Sequence, residues 1–182
     1  MMKKMLPLSI LALTLAASGL VCQESPRTLP LGLGGVTLGM NREQVTEALR
    51  QEGGFGYTGE PDVTYLPPQE DALIEAPGGP LSFFGRSWFQ FREGRLFTII
   101  INLNPARADR HSVFTALRQK YGDPLTITPE KSEWRDGNVI MSLEKPLTLK
   151  YVDREAAEDL AETAAVEQTV LERAYREFLE EL

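Results

Sequence analysis

The sequence predicts an α+β fold in which two halves, each a helix followed by antiparallel strands, share one sheet, and a long amphipathic helix forms the C-terminal part. Two segments carry the start and stop signals of a helix. Each is followed by short alternating or β-branched runs that are typical of strands. Residues 153–182 repeat apolar side chains at helical spacing. Because helices and antiparallel strands follow one another in this order, packed α and β layers are expected.

The first 22 residues have the pattern of a signal peptide. MMKK is a short cationic start, and residues 6–17 form an apolar run that is too short for a comfortable membrane span. Residues 17–19, ASG, are small enough for a signal-peptidase site. We therefore expect an exported protein that lies in the periplasm or is anchored in the cell envelope.

Cys22 is the only cysteine in the chain, so an intramolecular disulfide is excluded. It stands where the apolar run ends, a position that resembles the lipid attachment site of bacterial lipoproteins. Two alternatives stay open: Cys22 is acylated and anchors the chain, or the signal is cleaved after Ser18 or Gly19 and Cys22 is an incidental thiol. Residues 23–34 predict a tether that leads into a single domain over residues 35–152.

The first predicted helix begins after Asn41. Asn41 is a good N-cap, and Gln44 can complete a capping box with it. Val45, Ala48 and Leu49 then share one face of the helix, and Gly53-Gly54 ends it. Residues 53–86 are rich in glycine and proline, and we expect at least one strand there, in VTYL (63–66) or ALIEA (72–76).

The remaining strands surround a second predicted helix. SWFQF (87–91) and LFTIIINL (96–103) predict a hairpin. The second helix begins at Asp109 and ends at Gly122. A second hairpin turns at Asp136-Gly137, and residues 146–152 predict one more strand.

The formal net charge of −7 belongs to the C-terminal segment. Residues 153–182 carry ten acidic and three basic side chains, so the rest of the chain is neutral overall. One face of the predicted helix carries an apolar stripe that includes Leu171, Tyr175 and Phe178. The stripe fits packing on the domain's own sheet and docking on another protein equally well, and we take these three residues as candidate partner-binding residues.

Composition and motifs argue against catalysis and nucleic-acid binding. A pI near 4.9 leaves no basic face for phosphates, so we expect no nucleic-acid partner. His111 is the only histidine, and a recognisable nucleophile does not accompany it, so an exposed helix residue is favoured over a hydrolase centre. One cysteine, one histidine and no D-x-D-x-D loop predict no metal site. We expect no enzyme and no cofactor.

Aromatic residues are the remaining candidates for function. Trp88 lies in a strand in which Phe89 and Phe91 face the opposite way. Trp134 lies in the second hairpin. Each tryptophan fits either the core or a contact surface, and we take both as candidate partner-binding residues.

The stretch GVTLGMNREQVTEAL (35–49) resembles the opening of SmpA/BamE-type small envelope proteins. The wider pattern, with FQFREGRL and LRQKYGDP, resembles exported bacterial proteins of unassigned activity. The resemblance implies an α+β envelope module that works by protein contact, and it assigns no role to individual residues. We therefore expect a non-enzymatic envelope protein that acts as a protein-binding or assembly module. The alternative is a periplasmic carrier of a lipid or another apolar ligand.

Overall fold

The computed structural model describes residues 28–59, 63–66 and 71–163. It is mostly β, with a two-stranded sheet, an eight-stranded antiparallel sheet and three short helices. In chain order, the elements are β1 (Gly32–Leu33), β2 (Val36–Thr37), α1 (Arg42–Gln51), β3 (Val63–Leu66), β4 (Asp71–Ala76), β5 (Phe84–Arg92), β6 (Arg95–Leu103), α2 (Arg110–Tyr121), β7 (Thr126–Ile127), β8 (Lys131–Asp136), β9 (Val139–Glu144), β10 (Thr148–Asp153) and α3 (154–163).

The large sheet has the strand order β3-β4-β5-β6-β10-β9-β8-β7. The long hairpin of β5 and β6 contains two register shifts, one before Ser87 and one after Gln90. The last strand, β10, lies between β6 and β9 and pairs with both. In this central pairing Tyr151 lies opposite Ile99, although the two residues are far apart in the sequence.

The hydrophobic core lies between one face of this sheet and the helices α1 and α2. On the sheet side it is built from side chains that alternate along the strands, among them Phe89, Ile99 and Tyr151, which are fully buried. From α1, Val45 and Leu49 are buried against them. None of the α2 side chains is fully buried, and the half-buried ones that pack on the core are Val113, Phe114, Leu117 and Tyr121.

Both helix starts are confirmed. The Asn41 side chain accepts a hydrogen bond from the Gln44 backbone N–H at 2.9 Å, and the Gln44 side chain accepts one from the Asn41 N–H at 2.9 Å. Asp109 caps α2 by accepting from the Ser112 N–H at 2.9 Å. Gly122 ends α2 with a φ of 84°, a conformation that favours glycine.

The predicted fold class is wrong, because the protein is mostly β rather than α+β with a long C-terminal helix. The two helices α1 and α2 have only 10 and 12 residues, whereas two strands, β3 and β4, lie in the glycine- and proline-rich stretch before Phe84 and further strands form both hairpins. The helix predicted over residues 153–182 is described over 154–163 alone, and residues 164–182 lie outside the described residues. Apolar spacing favoured helices over strands because it is read along one segment and takes no account of the segments that pair or pack with it.

The predicted tether contributes to the domain from Leu29 onward. Leu29 is 6% exposed and belongs to the core, and its N–H donates to Asp136 Oδ2 at 2.9 Å. Gly32 and Leu33 pair with Thr37 and Val36. The domain therefore begins earlier than residue 35, because Leu29 and the short β1–β2 ribbon bury their backbone and side chains against it.

No helix in the part of the chain that the structure describes is long and apolar enough to cross a membrane.

Candidate functional site: the open face of the sheet

One face of the large sheet is turned away from α1 and α2. Directly paired residues form a row across six strands, and alternation places their side chains opposite the core residues: Glu75, Trp88, Ile100, Lys150, Ser142 and Glu133. A second row runs beside it: Leu73, Gln90, Thr98, Val152, Ile140 and Arg135. We call the surface formed by these two rows the open face.

The open face combines apolar and polar side chains. Trp88 and Ile100 are direct cross-strand neighbours, as are Val152 and Ile140, and all four are half-buried. Directly paired side chains in antiparallel strands have Cβ atoms about 4.5–5.5 Å apart, so each pair forms a continuous apolar contact. Half-buried aromatic and branched side chains between polar neighbours are typical of protein-binding surfaces.

Lys150 lies near the middle of the first row, between Ile100 and Ser142. It is half-buried, and it has no ion-pair partner among the residues that the structure describes. The neighbouring cations are paired. Arg86 contacts Glu75 at 3.1 Å, and Arg135 contacts Glu133 at 2.7 Å. Lys150 therefore supplies a positive charge at the centre of the face, and no ion pair within the described residues neutralises this charge.

Glu133 is a buried carboxylate at the β8 end of the open face. It is 4% exposed, and its oxygens accept from Lys131 Nζ at 2.5 Å and from Arg135 Nε at 2.7 Å. Burial raises the pKa of Glu133, but the hydrogen bonds and charges of Lys131 and Arg135 outweigh it and hold the pKa below its usual value. The carboxylate stays ionised and fixes both cations along β8.

Replacing Glu133 with glutamine is expected to lower the free energy of unfolding by about 1–2 kcal/mol at neutral pH, because both charged hydrogen bonds are lost. Since the folded pKa is depressed, this stability is present above the ordinary pKa of 4.5 and is lost as the pH falls through the folded pKa. The difference in Tm between wild type and E133Q should therefore shrink below about pH 4.5, as measured by thermal melts across pH.

Glu130→Gln is the matched control for that variant. Glu130 pairs with Lys145 at 3.5 Å in an exposed position, where an ion pair contributes about 0–1 kcal/mol. A pH-independent difference in Tm for E133Q, or an equal loss for E130Q, would contradict the role of the buried carboxylate.

The predicted partner-binding residues fall in three places. Trp88 lies on the open face. Trp134 lies in the core, 3% exposed, where its Nε1–H donates to the Gly122 carbonyl at 2.9 Å and its ring packs against Phe114. Its buried ring is not presented at the surface. Cys22, Leu171, Tyr175 and Phe178 lie outside the described residues.

The structure places His111, the candidate centre of a hydrolase, beside the N-cap of α2. His111 is exposed in the first turn of α2, and the neighbouring Ser112 hydroxyl donates to Asp109 Oδ2 at 2.6 Å rather than to the imidazole. Asp109 is the N-cap of α2, and the hydrogen bonds that it accepts from Ser112 lower the pKa of its carboxyl group. No group of three histidine, cysteine or acidic residues able to hold a metal occurs within residues 28–59, 63–66 and 71–163.

The helix α3 leaves the domain at one end of the sheet. Its first turn is held by Asn138, whose side-chain oxygen accepts from the Glu155 N–H at 3.0 Å, and by Arg92, which donates to the Ala156 carbonyl at 3.3 Å. From Glu158 to Thr163 every side chain is exposed. This part of α3 is therefore solvent-exposed, although Asp159 still lines a surface cavity together with Arg95 and Phe97 of β6.

A cleft lies beside the loop that precedes β5. Its cavity volume is about 490 Å³, and Gly53, Gly54, Leu81, Phe83 and Phe84 contribute to its walls. Leu81 is 79% exposed and Phe83 61% exposed. The cleft is a surface feature outside the packed core, and its mouth is apolar.

The model of the TP0088 domain family matches residues 32–163, which is well over half of the chain and runs from β1 to the described end of α3. The chain belongs to the TP0088 domain family. No activity is assigned to this family, in agreement with the predicted resemblance to proteins of unassigned activity. No curated protein and no solved structure gives a significant match.

Most residues of the open face of this TP0088 domain were not predicted as site residues from the sequence. Alternation separates Thr148, Lys150 and Val152 from Leu149 and Tyr151, and this signal is visible in the printed sequence. The alternation does not show that β10 pairs with β6. This pairing places Lys150 beside Ile100, on the face of the sheet that α1 and α2 do not cover. The one signal in the sequence is a lysine at an alternating position of an otherwise largely apolar strand, and by itself it does not identify a site.

Proposed function

We propose that this protein is a non-enzymatic, exported protein of the cell envelope that acts as a protein-binding or assembly module, and that its binding surface is the open face. One observation carries the proposal: the first row of the open face crosses six strands on the side of the sheet away from α1 and α2. Trp88 and Ile100 form its apolar part, and Lys150 lies near its centre. A face with this mixture of side chains is stable in water, and it becomes buried when a protein covers it.

Export is supported by the signal-peptide pattern of residues 1–22 and by the resemblance of residues 35–49 to SmpA/BamE-type envelope proteins. Acylation of Cys22 would anchor the protein to a membrane, with residues 23–27 between the lipid and the first described residues. Leu29 contacts Asp136 at the β8–β9 turn, so the chain enters the domain at the end of the sheet.

A second candidate function is a carrier of a lipid or another apolar ligand. The cleft beside Leu81, Phe83 and Phe84 favours it, because its volume of about 490 Å³ falls within the range of small-molecule sites, which is about 300–1,000 Å³. Its walls include backbone from Gly53 and Gly54, which leaves space for an acyl chain close to the surface. The open face plays no part in this alternative, so the two functions predict different contact residues.

Photo-cross-linking in cells tests the proposed function. A photoreactive phenylalanine is placed at Trp88, at Phe83 in the cleft, or at the exposed Arg118 of α2 as a control, and the adducts in the envelope fraction are identified by mass spectrometry. We expect a protein adduct from position 88 alone, and a second substitution, Ile100→Glu, should reduce its yield by about thirtyfold, since buried interface anchors contribute about 2 kcal/mol.

Equal adducts from positions 88 and 118 would contradict the proposal, and a lipid adduct from position 83 alone would establish the carrier. Absence of the tagged protein from the envelope fraction would contradict export.

A further inference from the structure

We infer that the edge of the large sheet at β7 pairs with β7 of a second copy of this chain, in an antiparallel arrangement with twofold symmetry. The inference goes beyond the proposed function, because the contact is made by the edge of the sheet and not by the open face. It is drawn from Leu125, Thr126 and Ile127 and from the residues around them, and it joins the large sheets of two copies into one.

The backbone of β7 carries hydrogen-bonding groups that point away from the sheet. β7 is the last of the described strands in the sheet order, and it pairs with β8 over Thr126 and Ile127. The Thr128 N–H donates to the Lys131 carbonyl at 2.8 Å. Since inward and outward groups alternate along an antiparallel strand, Thr126 also turns towards β8, whereas Leu125 and Ile127 turn outward. Their N–H and C=O groups have no hydrogen-bond partner within the part of the chain that the structure describes.

The side chains at this edge are apolar and exposed. Leu125 is 68% exposed and Ile127 is 66% exposed. Ile127 lies opposite the buried Ser132, which faces the same side of the sheet as the core. Tyr121 at the end of α2 and Leu125 line one cavity of about 420 Å³, so the helices leave this side of the sheet open at β7. An exposed apolar edge strand is a template for pairing with another chain.

Self-complementarity identifies the other chain as a second copy. When Thr126 of both copies lies on the twofold axis, each Leu125 stands opposite an Ile127, and the outward groups of each such pair form two hydrogen bonds. The aliphatic side chains of both pairs then lie on one side of the joined sheet, where they cover one another. The next outward position is 129, and Pro129 has no N–H to continue the ladder. A contact of this kind closes at two copies.

Disulfide trapping at the twofold axis tests the arrangement. In a Cys22→Ser background, Thr126→Cys places two thiols opposite each other in a non-hydrogen-bonded pair, where the Cα atoms are about 4.5 Å apart and a disulfide fits. We expect the purified T126C chain to form a covalent dimer on mild oxidation. Ile127→Cys is the matched control, because its two copies lie on opposite sides of the axis with their Cα atoms about 8 Å apart, too far for a disulfide.

Sedimentation equilibrium of the purified full chain measures the strength of the contact. We expect a monomer–dimer equilibrium for the wild type. Leu125→Asp and Ile127→Pro should each raise the dimer dissociation constant about tenfold or more, the first by placing a charge among the aliphatic side chains and the second by removing an outward N–H. Leu81→Asp, the same change as L125D on a leucine that is 79% exposed in the loop before β5, should alter the constant less than about twofold. Equal Tm values for L125D and L81D would show that both variants are folded.

Several results would overturn the inference: a wild-type monomer at all concentrations, equal disulfide formation by T126C and I127C, or a dimer that L125D leaves unchanged. Assemblies larger than a dimer would also overturn it, because they require β7 to pair with a different edge such as β3. The outcome for the proposed function is separate. A monomer whose position 88 cross-links another protein removes this inference and leaves the open face as the binding surface, whereas a β7 dimer without an adduct from position 88 does the reverse.

Discussion

Replacing Trp134 with alanine is expected to lower the free energy of unfolding by about 3–5 kcal/mol. The indole is 3% exposed and fills the space between β8 and α2, where its ring packs against Phe114 with 6.1 Å between ring centroids. Its N–H also satisfies the carbonyl of Gly122 at the end of α2. Removing the ring leaves a cavity and an unpaired carbonyl, and α2 has no fully buried side chain of its own to compensate. Thermal melts should show a decrease in Tm of about 10–20 °C.

Trp88 offers a matched control for this effect. Trp88→Ala removes the same side chain from the half-buried open face, and we expect the free energy of unfolding to fall by about 1 kcal/mol. Trp134→Phe keeps most of the ring and loses only the hydrogen bond, which should cost about 1 kcal/mol. Equal losses of stability for the two alanine variants would contradict the assignment of Trp134 to the core and Trp88 to the surface.

The two tryptophans show which features of the fold the sequence alone can predict. Alternation correctly places Trp88 opposite Phe89 and Phe91, because side chains in a strand point to opposite faces in turn. Alternation does not say which face the helices cover. That choice depends on α1 and α2 packing against the same side of the sheet, a property of contacts between segments that are distant in the chain. The same residue type therefore serves in the core at position 134 and on the surface at position 88.

Sequence signals that act over a few residues correctly predicted where the helices α1 and α2 begin and where α2 ends. The capping box of Asn41 and Gln44, the Asp109 cap and the Gly122 stop all act within a few residues, and all three are present. The fold class failed because it depends on what each element packs against. Hydrophobic spacing predicted a helix over residues 153–182, whereas strand pairing, which the spacing of one segment does not encode, accounts for most of the domain.

The candidate site was harder to predict than the elements that form it. Its central neighbours, Ile100 and Lys150, belong to strands that are joined only through α2 and the second group of strands. No motif marks a surface of this kind, because its chemistry comes from one lysine, which has no ion-pair partner within the described part of the chain, and from apolar side chains at ordinary strand spacing. Catalytic and metal sites place reactive residue types at fixed intervals, and the sequence could be searched for those directly.

The loop that carries Leu81 and Phe83 depends on Gly78, and Gly78→Ala is expected to lower the free energy of unfolding by about 3 kcal/mol. A Cβ atom at position 78 would lie 2.0 Å from the backbone carbonyl oxygen of Phe84. This oxygen belongs to the start of β5, so the clash moves backbone rather than a side chain. Gly78 also bridges to Phe55, and the flanking residues tie the two loops together through the hydrogen bond from the Gly56 N–H to the Pro77 carbonyl at 2.6 Å.

Gly53→Ala is the matched control, because a Cβ atom at position 53 meets nothing within 4 Å and the residue sits on the other side of the same pair of loops. Its free energy of unfolding should change by less than about 0.5 kcal/mol. Urea titrations of both variants give the comparison, and equal midpoints would contradict the close approach of the two backbones. If G78A unfolds at lower urea, its cleft residues should also become accessible, whereas the open face, which is built largely on β5, β6 and β10, should keep its protein adduct from position 88 below the unfolding transition. Loss of the adduct from position 88 in folded G78A would place the cleft, rather than the sheet, in the contact.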